Sequence, residues 1–154
     1  MKKLLVVSLL GGLMVGLLGL PSFAGFVSVA TTEGYIYTTT NSDEKNIDIG
    51  TPPYYPLQIL AKNKDCSWYK VKDWMRTTGW IPAEQVCSDQ TVIVNKIKIN
   101  WRSGPGTGYR NLGKLYKGYI LQIIGRKGYW LKVKLVDPLK NKVGWVHRRL
   151  VWGD

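Results

Sequence analysis

The stretch NWRSGPGTGYRNLGKLYKGYILQIIGRKGYWLKVK, residues 100–134, decides the fold. It crowds Gly104, Gly106 and Gly108 between Arg102 and Arg110. Glycine at that density marks a backbone that turns sharply or lies close against something. A phosphate-cradling loop uses such glycines, but it also needs a strand before it and a helix after it. The helix N-terminus supplies the aligned N–H groups. No helical pattern follows here. Gly113, Gly118, Gly125 and Gly128 punctuate short apolar runs, and YILQII and YWLKVK are rich in β-branched and aromatic residues. That is strand chemistry with turns between. The G-x-G-x-G spacing, with no Gly-Lys-Ser or Gly-Lys-Thr, also departs from nucleotide-binding motifs. The loop reads as a turn in an all-β unit.

Of the 154 residues, 1–24 have the make-up of an export signal. Lys2 and Lys3 are followed by an uncharged, largely apolar run from Leu4 to Leu20, then Pro21 and the small-residue site Ser22-Phe23-Ala24. Cleavage is expected between Ala24 and Gly25, with Ser28-Val29-Ala30 as the alternative site. An uncleaved anchor is the other reading, although the run is short beside the ~20 residues of a membrane span. No cysteine lies near either site, which argues against a lipid-anchored lipoprotein. The expected location is exported, periplasmic or envelope-associated, with no transmembrane span after cleavage.

Charge divides the rest of the chain. Residues 25–88 carry six basic and seven acidic side chains, a net −1, whereas residues 89–154 carry fourteen and three, a net +11. Such a field attracts polyanions. For an exported chain nucleic acid is excluded, leaving acidic wall polymers, lipid headgroups or an acidic protein. Both cysteines, Cys66 and Cys87, fall in the near-neutral half. In an oxidising compartment an even count favours a disulfide, with two buried free thiols as the alternative. Two cysteines without a histidine cluster do not complete a zinc sphere, so no cofactor or metal is expected.

The sequence also resembles itself. PLQILAKNKDCSWYKVK (56–72) aligns with ILQIIGRKGYWLKVK (120–134), and TGWIPAEQV (78–86) with VGWVHRRLV (143–151). Upstream, GYIYTTTNSDEKNIDIG takes the place of IKINWRSGPGTGYRNLG. The copies differ mainly by insertions in turns, as a duplicated small β-unit would. Each copy offers several short strands, which suits a small, strongly bent barrel. Trp68, Trp80, Trp130 and Trp145 sit at matched positions, where large aromatics compensate for a small core.

These residues resemble the bacterial SH3 domain family of exported proteins. The family pattern appears as Asn100, Arg102, Gly104-Pro105, Lys117-Gly118, Trp130, Lys132-Val133 and Gly144-Trp145-Val146, over residues 90–152. Residues 26–87 form a weaker copy that keeps SWYKV and GWIP but has TTTNSDEKN in place of the Arg-x-Gly-Pro loop. The resemblance implies two tandem SH3-like β-barrels, residues 25–88 and 89–154, after a cleavable signal peptide. It also makes the glycine-rich stretch a long loop bordering a ligand groove, and places Cys66 before the third strand and Cys87 at the end of the fifth. The slot for proline-rich peptide is half missing. Pro82 is present with Gln85 at the usual tyrosine position, and the second copy has His147 and Leu150 there.

The expected ligand-binding set is Trp101, Arg102, Tyr109, Arg110, Trp130, His147, Arg148 and Arg149. Aromatic faces stack on sugars or peptide planes, and arginines grip carboxylate or phosphate. The single histidine, His147, stands beside two arginines and has no acidic partner in sequence. The cysteines lie in a half with no histidine at all. No nucleophile–base pair is legible, so the sequence predicts no enzyme. Two functions fit: a module recognising peptidoglycan peptide or glycan, or an associated anionic polymer; or a scaffold subunit docking an acidic envelope protein.

Overall fold

A computed structural model describes residues 25–136 and 142–154. The expected export signal, residues 1–24, lies outside the described residues. The fold is all-β, as the sequence predicts, in two curled antiparallel sheets. The first comprises β1 (Phe26–Val29), β2 (Gly34–Tyr37), β3 (Ile47–Thr51), β4 (Pro56–Lys62), β5 (Trp68–Lys72), β6 (Thr78–Pro82) and β7 (Val86–Cys87). The second comprises β8 (Thr91–Val94), β9 (Lys98–Arg102), β10 (Asn111–Tyr116), β11 (Ile120–Lys127), β12 (Trp130–Leu135), β13 (Val143–His147) and β14 (Val151–Trp152). Single 3-10 turns at Glu44–Asn46, Ala83–Gln85 and Arg148–Leu150 link neighbouring strands.

Strand order is β3-β2-β6-β5-β4-β1-β7 in one sheet and β10-β9-β13-β12-β11-β8-β14 in the other, the same path twice. Bulges also match: β4 shifts register between Ile59 and Ala61 where β11 shifts between Ile123 and Gly125. The extra residue sharpens the twist and lets a short sheet curl over its own core. Register moves β2 by two residues against the sequence alignment. Tyr37 opposes Trp80 as Arg102 opposes Trp145, so Ile36 occupies the place of Trp101. At that place both barrels need glycine opposite. A Cβ at Gly79 would lie 2.4 Å from the Ile36 side chain, and one at Gly144 would lie 2.2 Å from Trp101 Nε1.

Strand β8 joins the two cores. All four of its residues, TVIV, are buried. Because side chains alternate along a strand, Val92 and Val94 join the second core while Ile93 packs into the first with Val29, Leu57 and Val71. Beside it the Thr91 hydroxyl donates to the Tyr54 carbonyl at 2.8 Å and lies 2.7 Å from the buried Ser28 hydroxyl. Ser28 in turn bonds the Asp89 carbonyl. Phe26 meets Trp152 edge-on at 5.0 Å. The connecting segment is thus tied down on both sides.

The expected disulfide is corrected: Cys66 and Cys87 are both free. Cys87 opposes Ser28, whose other neighbour is Pro56 at the start of β4. Cys66 follows the far end of β4, in the β4–β5 turn, at φ 60°. Seven residues of β4 at ~3.3 Å each hold the two cysteines at opposite ends of that strand.

Replacing Gly144 by Ala forces the buried Trp101 ring to move, and we expect a loss of about 1–3 kcal/mol in denaturant unfolding. Gly108→Ala, where nothing lies within 4 Å of an added Cβ, should stay within about 0.5 kcal/mol.

Candidate functional site

The loop between β9 and β10 is closed by its own backbone. Ser103 N–H donates to Arg110 O at 2.9 Å, and Gly106 N–H donates to Gly104 O at 3.0 Å. The Tyr109 ring then folds onto the two glycines. A Cβ on Gly104 would sit 2.2 Å from that ring, and one on Gly106 would sit 3.2 Å away. Arg102 Nη1 donates to Tyr109 O at 2.9 Å. The dense glycines therefore make room for a tyrosine, and the loop forms a rigid wall rather than a phosphate cradle.

Alternation along β9 sorts the residues next to that loop. Asn100 and Arg102 face a cleft of about 310 Å³, lined also by Thr107, Trp130, His147, Arg149 and Leu150. Trp101, between them, points the other way. It is 5% exposed and belongs to the second core, where its Nε1 has no hydrogen-bond partner. Of the eight residues expected to form the site, Trp101 lies in the core and lines a separate cleft of about 500 Å³ with Leu112, Tyr119 and Val143.

A second cleft of about 600 Å³ is lined by Tyr129, His147, Arg148 and Arg149, and so shares His147 and Arg149 with the first. The Tyr129 ring, 69% exposed, stacks near-parallel to His147 at 6.0 Å, and Trp130 meets His147 edge-on at 5.2 Å. Arg148 N–H donates to Tyr129 O at 2.9 Å, which fixes the Arg148–Leu150 turn against the β11–β12 hairpin. The result is a groove of two adjoining clefts that share His147 and Arg149, with the imidazole in contact with both aromatic rings.

Its cations are not equivalent. Arg148 Nε lies 3.0 Å from Asp154 Oδ2, and Arg126 contacts the other oxygen of the same buried carboxylate. Arg149 lines both clefts with no acidic partner among the described residues. Arg110 and Tyr109 lie on the loop, exposed, outside the lining of these two clefts. The structure thus gathers Arg102, Trp130, His147, Arg148 and Arg149, and adds Asn100, Thr107, Tyr129 and Leu150. Asn100 was legible in principle from its alternation with Arg102. Tyr129 was not, because its place depends on the turn that stacks it on His147.

His147 Nδ1 accepts the Arg149 backbone N–H at 3.2 Å, leaving the proton of the neutral ring on Nε2. Burial, then the charges of Arg149 and Arg148, hold its pKa below the usual histidine value. The groove therefore presents a neutral imidazole donor beside the Arg149 guanidinium at neutral pH, a pairing suited to a carboxylate or phosphate oxygen.

Residues 98–151 match the family model described as the bacterial SH3 domain. That range takes in β9 to β13 and the lining of both clefts, and leaves out β8. Over 148 aligned residues the chain is 24% identical to "Putative N-acetylmuramoyl-L-alanine amidase YrvJ" of Bacillus subtilis (strain 168). The alignment takes in 84% of this chain and 27% of that protein, so the chain spans little more than a quarter of its relative. Among solved structures, an NlpC/P60 family protein of Bacillus cereus is 12% identical over 82% of this chain and 55% of its own, with a TM-score of 0.37. An NlpC/P60 endopeptidase of Photobacterium damselae subsp. piscicida is 15% identical over 80% and 31%, with a TM-score of 0.38. The expectation that the chain stands outside enzyme chemistry is corrected here. The chain is similar, over about a quarter of that protein's length, to a protein that bears the name of an amidase, so the lack of a legible nucleophile–base pair does not set it apart from enzymes.

The imidazole should titrate below the ordinary ~6.5 of histidine. With a single histidine in the chain, one NMR titration reads it directly. The sign follows from the depressed folded value: the unfolded chain takes up this proton first as pH falls. His147 thus contributes stability above about pH 6.5 that is lost as pH drops through its folded pKa. His147→Gln should flatten that part of the stability profile.

Proposed function

We propose that this chain is a cell-wall recognition unit acting within peptidoglycan hydrolysis, and that the groove of the second barrel is where it holds the wall. The observation that carries this reading is Arg149, without an acidic partner among the described residues, set beside Tyr129, Trp130 and His147 where two clefts share lining. Peptidoglycan offers what such a cleft recognises: carboxylates on its peptides, and sugar and peptide planes for aromatic rings. The match of residues 98–151 to the bacterial SH3 domain, and the amidase name of the relative, support the wall as the surface concerned.

In this reading the chain is exported, residues 1–24 being its signal, and residues 25–88 and 89–154 are two SH3-like barrels of one duplicated unit. Their shared strand order and matched bulges support the duplication. No helix among the described residues is long and apolar enough to cross a membrane. The first barrel's counterpart of the groove carries Pro82 opposite Trp68, with Tyr37 packed edge-on against that tryptophan at 5.6 Å. Gln85 Oε1 accepts the Tyr35 backbone N–H at 3.2 Å. That barrel lacks the arginines, so wall binding falls to the second.

Purified sacculi provide the test. Arg149→Ala combined with Tyr129→Ala should weaken co-sedimentation about tenfold or more, while the parent keeps part of its binding at 0.5 M salt. Bare charge attraction is largely screened there, with a Debye length of only about 4 Å. Binding that ignores both substitutions and vanishes in salt would replace the groove with a diffuse basic surface. Salt-resistant binding that ignores both substitutions would place the contact elsewhere.

A further inference from the structure

Away from the groove, two turns from different barrels meet. In the β5–β6 turn, Asp73 is buried. Its Oδ1 accepts Met75 N–H at 2.9 Å and Thr77 N–H at 2.7 Å, and its Oδ2 accepts the Tyr55 hydroxyl at 3.3 Å. Tyr55 is pushed above the ordinary tyrosine range by burial and then by Asp73, so it remains a donor. This inward acid fixes the turn, with Arg76 at φ 74° and Met75 54% exposed. The carboxylate is used up inside and does not contribute an acid to the outer face.

The second turn comes from the other barrel. Lys117 Nζ lies 5.3 Å from the centre of the Trp74 ring, and Lys117 N–H donates to Ile97 O at 3.2 Å. Ile97, between Lys96 and Lys98, is 85% exposed. Tyr116 and Tyr119 pack edge-on at 6.1 Å on the same strand junction, both partly exposed. The contacts make these turns continuous, and the burial of Ile93, Ser28 and Thr91 holds the two barrels in this arrangement. Among residues 73–77 of the β5–β6 turn, 95–98 at the β8–β9 turn and 116–119 at the β10–β11 turn, Asp73 is the one acid, and it is buried.

We propose that this face docks on the surface of an anionic lipid bilayer. Two exposed aliphatic tips, a tyrosine pair and a fringe of four cations (Arg76, Lys96, Lys98 and Lys117) have the make-up of an interfacial anchor. Its apolar tips enter the headgroup boundary while the cations meet anionic headgroups. A hydrated anionic polymer satisfies the cations but offers no apolar phase for Ile97 and Met75. A second copy of the chain satisfies the tips but sets four cations against four. A bilayer satisfies both. The surface is separate from the groove, so the two bindings are independent.

The test uses residues 25–154, which hold all fourteen described strands and both cores. Sedimentation is measured with vesicles of phosphatidylglycerol and phosphatidylcholine, and with phosphatidylcholine alone. We expect binding to the anionic vesicles at least about fivefold above the neutral ones. Met75→Ser with Ile97→Ser, which leaves charge unchanged, should weaken it about tenfold. Lys96→Gln with Lys98→Gln should weaken it about fivefold or more. Arg149→Ala should leave vesicle binding unchanged while lowering sacculus binding, which separates this proposal from the groove. Unchanged thermal melting shows that the variants remain folded. Three results overturn the proposal: no binding to anionic vesicles; binding that salt abolishes and Met75→Ser/Ile97→Ser leaves unchanged, which marks a polymer-type charge contact; or a dimer that those substitutions dissolve, with no vesicle binding.

Discussion

The structure depends on one strand that is buried on both faces. β8 sends Val92 and Val94 into its own barrel and Ile93 into the neighbour, so neither core is complete without it. A strand with water on one side alternates apolar and polar residues, whereas TVIV does not, and burial of both faces is the reason. Fixing β8 also fixes its partners, β11 on one side and β14 on the other. β14 carries Trp152 to the inter-barrel seam, where it meets Phe26. The turn before β14 carries Arg148 and Arg149 to the groove. Seam and groove are two ends of the same short segment.

That segment also sorts the charge. Of the fourteen basic residues in the second half, seven lie on strands among the described residues, and five of those are exposed. Asp154 takes up two arginines at once, drawing Arg126 and Arg148 to a nearly buried carboxylate. Arg149, the next residue along, has no acidic partner among the described residues. One residue's difference on a 3-10 turn thus separates an arginine tied to a carboxylate from one that lines both clefts. Burial, and then the neighbouring Arg149 and Arg148, favour the neutral form of the adjacent imidazole, and its Nδ1 is occupied by the turn's own backbone. A groove built this way holds its shape without ligand, which lowers the ordering cost of binding.

The two barrels are tied together at their seam. The seam of Ser28, Thr91, Tyr54 and Ile93 leaves little room for the barrels to swing, so surfaces on different barrels keep a fixed relation. A flexible tether would let each surface find its target separately. Here the geometry is set by the fold, and two surfaces engage one target together only where their fixed spacing matches it.

The sequence by itself determined the all-β class, the repeated strand path and the charge division, because these rest on local alternation, turn residues and counts. The Leu57–Val71 and Leu121–Val133 stretches aligned correctly since their bulges fall at matching places. Which residues line one cleft region was legible where they sit on regular strands or next to them: Arg102, Trp130, His147 and the two arginines after it. Tertiary structure decided the rest. Trp101 reads as a binding aromatic beside an arginine, yet the pleat turns it into the core opposite Gly144, while Arg102 faces outward. Strand β2 slid by two residues because its register is set by Trp80 on a neighbouring strand, not by its own sequence. Cys66 and Cys87 suggested a bond by number and compartment, but β4 keeps them at opposite ends. Arg148 and Arg149 look alike in the chain, and only a carboxylate brought in from the end of the fold tells them apart. Each of these outcomes turns on which residues a sheet places side by side, and pairing between distant strands leaves no mark in local sequence.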